Sequence, residues 1–398
     1  MLALLAISAC TEPNADAPAT LTPVIATSPT TAAEARDANS LPACPDGPFF
    51  DHLPLGLEDF RALRPLGFTS VPIHIMPARF SSFSRELPGE DRPPAPVYFP
   101  GEAWVTQVLT TDFPSTGARG YQLQFSPCKD TKFQFNHIGA LSPKLEAAIA
   151  AATLTNCREF DSGQGQIAKT CQANVFVNVS TGEQAGMSDE FAGVDFVAID
   201  YRLPPAGFAN PASYTRDFFY YTSPVGYFTP ALQEQLKSKL GSYDGRNPRT
   251  AAPVEGVYMQ DVAGTAQGNW FLAGQTPALS PSSDGTLALV HEYVDPGQPL
   301  LVVGTGVPGL RSGQYSFVPS AEGVINRDWP AVTPDGRVYC YEAWRSGQTA
   351  GGLPLATASG VVLIAMPAPD RLRVEFVPGV ASCPPMRALS DRTVEYRR

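Results

Sequence analysis

Histidine is scarce in this chain, with four in 398 residues, so each imidazole is a marked position for chemistry. One stands in Phe133-Gln134-Phe135-Asn136-His137-Ile138, at the end of an alternating apolar run. An imidazole at a strand end could act as a base, a metal ligand or a hydrogen-bond donor to a transition state. His291-Glu292 lacks the second histidine of an HExxH zinc helix and reads as a strand end beside a turn. Gly304-Thr305-Gly306 has no helix after it, which excludes a nucleotide loop. No Gly-x-Ser-x-Gly elbow is present to carry a serine nucleophile. The aromatic run Phe218-Phe219-Tyr220-Tyr221 could stack on a sugar, though such a run usually belongs to a packed strand or edge.

The seven cysteines carry the next chemistry. Ile7-Ser8-Ala9-Cys10 closes a short apolar run and resembles the lipobox of bacterial lipoproteins. That resemblance implies a signal peptide with lipobox over residues 1–10, cut before Cys10, with lipid on the Cys10 thiol and a membrane anchor without a spanning helix. No basic residue precedes the run, a departure from the usual signal peptide. The other six cysteines, an even number, suit disulfides in an exported chain. Proximity favours Cys157 with Cys171, across a polar loop worth about 3 kcal/mol in the chain-entropy model. Cys340 and Cys383 pair if the C-terminal region is one domain, and Cys44 with Cys128 then remains. No CxxC spacing suggests a zinc-thiolate site.

Composition sets the frame for these residues. Net charge is -10 and no cluster of Lys and Arg occurs, which excludes nucleic acid as a partner. Residues 11–45 are rich in Ala, Thr and Pro, a composition that cannot bury enough apolar surface to fold and so predicts a disordered tether. Such a tether reaches about 30 Å. Gly and Pro are frequent, with 34 and 40, which favours short strands and turns over long helices.

The elements that must position the candidates are mostly strands. Tyr121, Leu123 and Phe125, then Phe133 and Phe135, alternate as in a strand with one buried face. Pro96 to Asp112 alternates around a glycine turn. The segments at Asn174 and Gly193 read as two further strands. Ser142-Pro143 and Thr229-Pro230 each predict a helix start, and Gly241 a helix stop. Residues 241–253 are turn-rich and read as a linker. From Val254 onward, short strands recur at the spacing of a small sandwich or barrel.

Four segments, around Leu66–Phe80, Pro96–Val105, Phe133–Leu145 and Gly193–Tyr201, resemble in their order the lysostaphin-like zinc endopeptidases. Pro96-Val97-Tyr98 with Gly101, Trp104 and Val105 matches that family's opening hairpin. Phe135-Asn136-His137-Ile138 matches its aromatic strand ending in histidine, and Gly193-Val194-Asp195-Phe196 its His-x-His-Phe strand. The resemblance covers about residues 66–200 and implies a barrel-sandwich, or duplicated-hybrid-motif, fold. It also implies a zinc site, for which this chain offers His74, His137 and Asp195. The motif is degenerate. Ala78 stands where the family has its aspartate four residues after the first histidine, and Gly193 stands in place of a histidine. A structural reading stands beside this one: His137 a satisfied strand-end histidine, His74 a loop residue, Asp195 a local pair.

The sequence thus predicts a mainly β protein. A barrel-sandwich domain over 46–245 precedes a second small β sandwich or barrel over 254–398. The implied role is that of an envelope lipoprotein, periplasmic or at the cell surface. Its peptidase-like domain has lost hydrolysis and binds peptidoglycan or an envelope protein without a cofactor. The alternatives are a zinc-dependent hydrolase of the envelope and an assembly lipoprotein that works through its C-terminal domain.

Overall fold

A computed structural model describes residues 40–398 apart from 73, 86–89, 91, 162–166, 190–192, 275–284, 386 and 387. Cys10 and the tether up to residue 39 lie outside the described residues. Order is present by Leu41, which is buried, and Cys44 is bonded to Cys128, so the end of the 11–45 stretch belongs to the folded unit.

The first half of the chain builds one antiparallel sheet from β1 (Ala62–Arg64), β2 (Phe80–Ser84), β3 (Pro96–Tyr98), β4 (Ala103–Phe113), β5 (Ala118–Ser126), β6 (Thr131–Leu141), β7 (Leu154–Asp161), β8 (Ile167–Val179), β9 (Gln184–Ser188), β10 (Gly193–Asp200) and β11 (Tyr221–Thr222). The main order is β1-β2-β10-β6-β5-β4-β8-β7; β9 joins β6 to β3, and β11 pairs with β10. The expected hairpin over Pro96–Asp112 does not form. β3 pairs with β9, while β4 pairs with β5 and β8. The turn between them packs against the N-terminal segment: a side chain at Gly101 would lie 2.3 Å from the Phe49 carbonyl oxygen.

Alternation decides the two faces of this sheet. Leu123, Phe125, Phe133, Phe135 and Phe196 point to one side and form a core with Phe50, Phe60 and Phe228. Phe135 and Phe196 have ring centroids 4.8 Å apart, within the range of favourable aromatic pairs. Helices α1 (Pro143–Ala151) and α2 (Pro230–Lys237) close this core with Leu145 and Leu236. Both begin at the Ser-Pro and Thr-Pro signals. α2 stops at Lys237, before Gly241.

The second half builds another antiparallel sheet: β12 (Gly268–Leu272), β13 (Thr286–His291), β14 (Pro299–Val303), β15 (Gly313–Ser316), β16 (Tyr339–Tyr341), β17 (Gly360–Ala368), β18 (Arg371–Pro378) and β19 (Val394–Arg397). Its order is β15-β14-β13-β12-β19-β18-β17-β16. Trp270, Leu287, Leu289, Leu301 and Trp329 fill one face. Ala288, Val290, Leu300 and Val302 fill the other and pack against Ile75 from the first half.

The two sheets therefore share apolar contacts. Phe68, Phe80, Val197 and Ile199 pack with Tyr293 and Val294. The 241–253 stretch is not a loose linker: Ser242 is fully buried, and Arg249 bonds back to the Tyr293 carbonyl. The disulfides are Cys44–Cys128, Cys157–Cys171 and Cys340–Cys383, as the spacing argument expected. Phe218 and its neighbours form a 3-10 turn over Arg216–Tyr220 rather than a strand.

Candidate functional site: the His137 cluster and the amide face

β6 changes partners at His137. Up to Asn136 it pairs with β10; from Ile138 it pairs with β9. The switch needs an irregular residue, and His137 supplies it with φ of 66°, a left-handed backbone that costs energy in any residue other than glycine. Register shifts flank it on both neighbouring pairings. Each of the two partner strands delivers a carboxylate. Asp189 follows β9, and its Oδ2 lies 3.3 Å from His137 Nδ1. Asp195 sits on β10, and its Oδ2 lies 3.4 Å from Nε2. Gly139 allows the approach of Asp189, because a Cβ there would lie 2.8 Å from the Asp189 Cα.

Electrostatics follows from this geometry. Burial opposes protonation of His137, but hydrogen bonds to Asp189 and Asp195 overcome it and push the pKa up to about 10. For Asp195, burial would favour the neutral acid; the His137 hydrogen bond and charge, with Arg64 and His74 beyond, hold it below the usual carboxylate range. His74 is pulled the other way. Burial lowers it to about 4, with Asp195 opposing and Arg64 and Arg79 reinforcing. It sits in a tight turn bridged to Ser70 and packs edge-on against Phe80.

The three residues proposed from the sequence thus occupy one neighbourhood, and His137 and Asp195 touch. The donor set does not fit zinc. Both His137 ring nitrogens face carboxylate oxygens, Nδ1 that of Asp189 and Nε2 that of Asp195, so neither points into open space where a metal would sit. Two guanidiniums lie near enough to act on His74. Among the described residues no three His, Cys, Asp or Glu side chains converge as a metal ion needs. Ala78, at the family's aspartate position, is buried among Phe68 and Phe80. Gly193 could not be a histidine, since its Cβ would lie 2.5 Å from the Phe83 carbonyl oxygen. As arranged, the cluster is an ionic latch that holds a strand switch.

The same side of the sheet carries a second feature. Opposite the aromatic core, the outward positions of β8, β4, β5 and β6 include a group of uncharged amides. Asn174 pairs in register with Gln107, Gln107 with Gln124, and Gln124 with Gln134. In the next row Gln172 and Gln122 flank Leu109, while Asn136 stands opposite Asp195. The amides bond among themselves: Gln134 Nε2 donates to Gln122 at 3.2 Å and to Asn136, and Gln124 Nε2 donates to Thr106 at 3.1 Å. Trp104 and Phe176 lie at one end of this face, with centroids 6.4 Å apart and planes at 23°. All are half-buried or exposed. Glutamine and asparagine are poor strand formers, and solvent faces usually use charged residues. None of them belongs to a catalytic or metal-binding motif. Their signal is a spacing of two: Gln122-x-Gln124, Gln134-x-Asn136, Gln172-x-Asn174.

Compared with protein-family models, curated proteins and solved structures, the chain matches none of them.

Proposed function

We propose that the protein is a binding protein of the bacterial cell envelope, lipid-anchored through Cys10, that uses the amide face of its first sheet to hold the uncharged sugars of a polymer rich in hydroxyl and amide groups, peptidoglycan foremost. The observation that carries this reading is the amide field itself. Each Gln or Asn offers a donor and an acceptor, the pairing that sugar hydroxyls and N-acetyl groups require. Trp104 and Phe176 add a flat apolar surface for a sugar ring. Three disulfides suit an oxidising compartment. The part of the 11–45 stretch before Leu41, from its composition, gives the tether such a protein needs. The role is binding rather than hydrolysis, because His137 is engaged on both nitrogens.

Co-sedimentation of the purified protein with peptidoglycan sacculi tests this. Trp104→Ala and Gln124→Ala should each reduce the bound fraction while leaving the fold intact by circular dichroism. Equal sedimentation of wild type and both variants would sink the proposal. Mass spectrometry of Cys10 tests the anchor. The zinc hydrolase reading keeps one supporting observation, the clustering of His74, His137 and Asp195. It requires about one equivalent of zinc on the purified protein, lost in His137→Ala.

A further inference from the structure

A cavity of about 270 Å³ lies where the 241–262 stretch meets the end of β13. Its polar wall includes Arg249, Gln260, Asp261, Gln267, His291 and Glu292. We propose that this cavity binds a small carboxylate that also carries a hydrogen-bond donor, a molecule of the size and kind of an amino or hydroxy acid.

Three side chains point to that chemistry. Arg249 is 7% exposed, and its hydrogen bonds go only to the carbonyl oxygens of Pro253 and Tyr293. Its Nη2 has no hydrogen bond and its guanidinium no ion pair among the described residues. The carboxylates of Glu292 and Glu255 act on it through space without forming an ion pair, and a carboxylate of a ligand is the natural partner for the remaining guanidinium edge. His291 is oriented: its Nε2 lies 3.0 Å from Asp328 Oδ1, and Gln260 clamps its backbone N–H and carbonyl. In the tautomer that gives Nε2–H to Asp328, Nδ1 is an acceptor for a ligand hydroxyl or amine. Gln267 donates to the Gln260 carbonyl, which leaves its Oε1 without a partner among the described residues.

The two acids in the wall do not repel such a ligand strongly. Glu292 accepts backbone N–H groups from Val294, Asp295 and Gly351, and Asp261 accepts them from Asn269 and Ala209. Their lone pairs are turned into the protein, and burial favours the neutral form of both. The cavity volume is just under the usual range for ligand pockets, about 300–1,000 Å³, which favours a ligand of few atoms.

The test is ligand-observed NMR and calorimetry on the whole protein, with alanine, lactate, acetate and inorganic phosphate as probes. Alanine or lactate should bind, acetate more weakly, and both Arg249→Lys and His291→Phe should weaken the better probe about tenfold or more. Where Arg249→Lys fails to fold, His291→Phe alone decides, because its ring can keep the packing without the acceptor. Absence of binding by every probe, unchanged affinity in His291→Phe, or phosphate binding more tightly than lactate would each overturn the proposal.

Discussion

The two sheets bury their surfaces in opposite ways. In the second, β13 and β14 are buried on both faces, one against Trp270 and Tyr315, the other against Ile75 and Leu355. Their sequences are therefore near-continuous apolar runs, Thr286-Leu-Ala-Leu-Val and Pro299-Leu-Leu-Val-Val. In the first, β5 and β6 have one face in an aromatic core and the other set with amides, and their sequences alternate strictly. β13 and β14 thus form a double-sided core. β5 and β6 keep a polar outer side, which ends at β10, where Val197 and Ile199 pack against Tyr293 and Val294 of the second half.

Substitutions on each side of a strand should expose this contrast. The largest expected effect is in the aromatic core. Phe135 is fully buried, and Phe135→Ala should cost about 3–5 kcal/mol in urea unfolding. β13 and β14 should be as intolerant on their outer face as on their inner one. Val302 is fully buried against Ile75, so Val302→Gln would bury an amide and should cost about 3 kcal/mol. A cost below about 1 kcal/mol would mean that this face is open to water and that the contrast is false.

The latch gives an intermediate effect with a pH signature. The folded-state pKa of His137 is raised from 6.5 to about 10. A raised pKa contributes stability that is fully present below pH 6.5 and is lost as pH rises toward 10. The His137 side chain is 37% exposed, so screening by solvent reduces the contribution to about 1–2 kcal/mol. Stability measured between pH 6.5 and 10 should fall by that amount in the wild type. In His137→Asn, whose side chain tolerates a left-handed backbone, the curve should be flatter. Parallel curves for the two proteins would show that the carboxylates do not hold a charged ring.

Much of this architecture was legible in the sequence, for identifiable reasons. The alternation of Tyr121 to Phe125 and Phe133 to Phe135 announces strands because the side-chain period of a strand is two. The disulfides were legible because Cys157 and Cys171 are close in sequence and Cys340 and Cys383 share one sheet region. Pairing was less so. The glycine turn between β3 and β4 reads locally as a hairpin, yet long-range contacts with Phe49 and β9 decide where β3 goes. β19 escaped notice because Val394 to Arg397 is too short and too charged to stand out. At the site, His74, His137 and Asp195 could be named. The role of His137 depends on Asp189, which only the β6 partner switch brings to it.

The smallest stability effect carries the sharpest functional test. Gln134→Val changes the outward position next to Phe135 and mirrors Val302→Gln. Gln134 is half-exposed, and among the described residues its side-chain hydrogen bonds go to other amides of the same face. Valine is a better strand former, so the substitution should leave unfolding stability within about 0.5 kcal/mol of the wild type. It removes the amide at the β6 end of the row Asn174, Gln107, Gln124 and Gln134 and breaks its bonds to Gln122 and Asn136. If the face binds a polymer of hydroxyls and amides, sacculus binding should drop while stability holds. If binding persists, the amides serve only to keep the sheet face soluble, and the binding surface of the protein lies elsewhere.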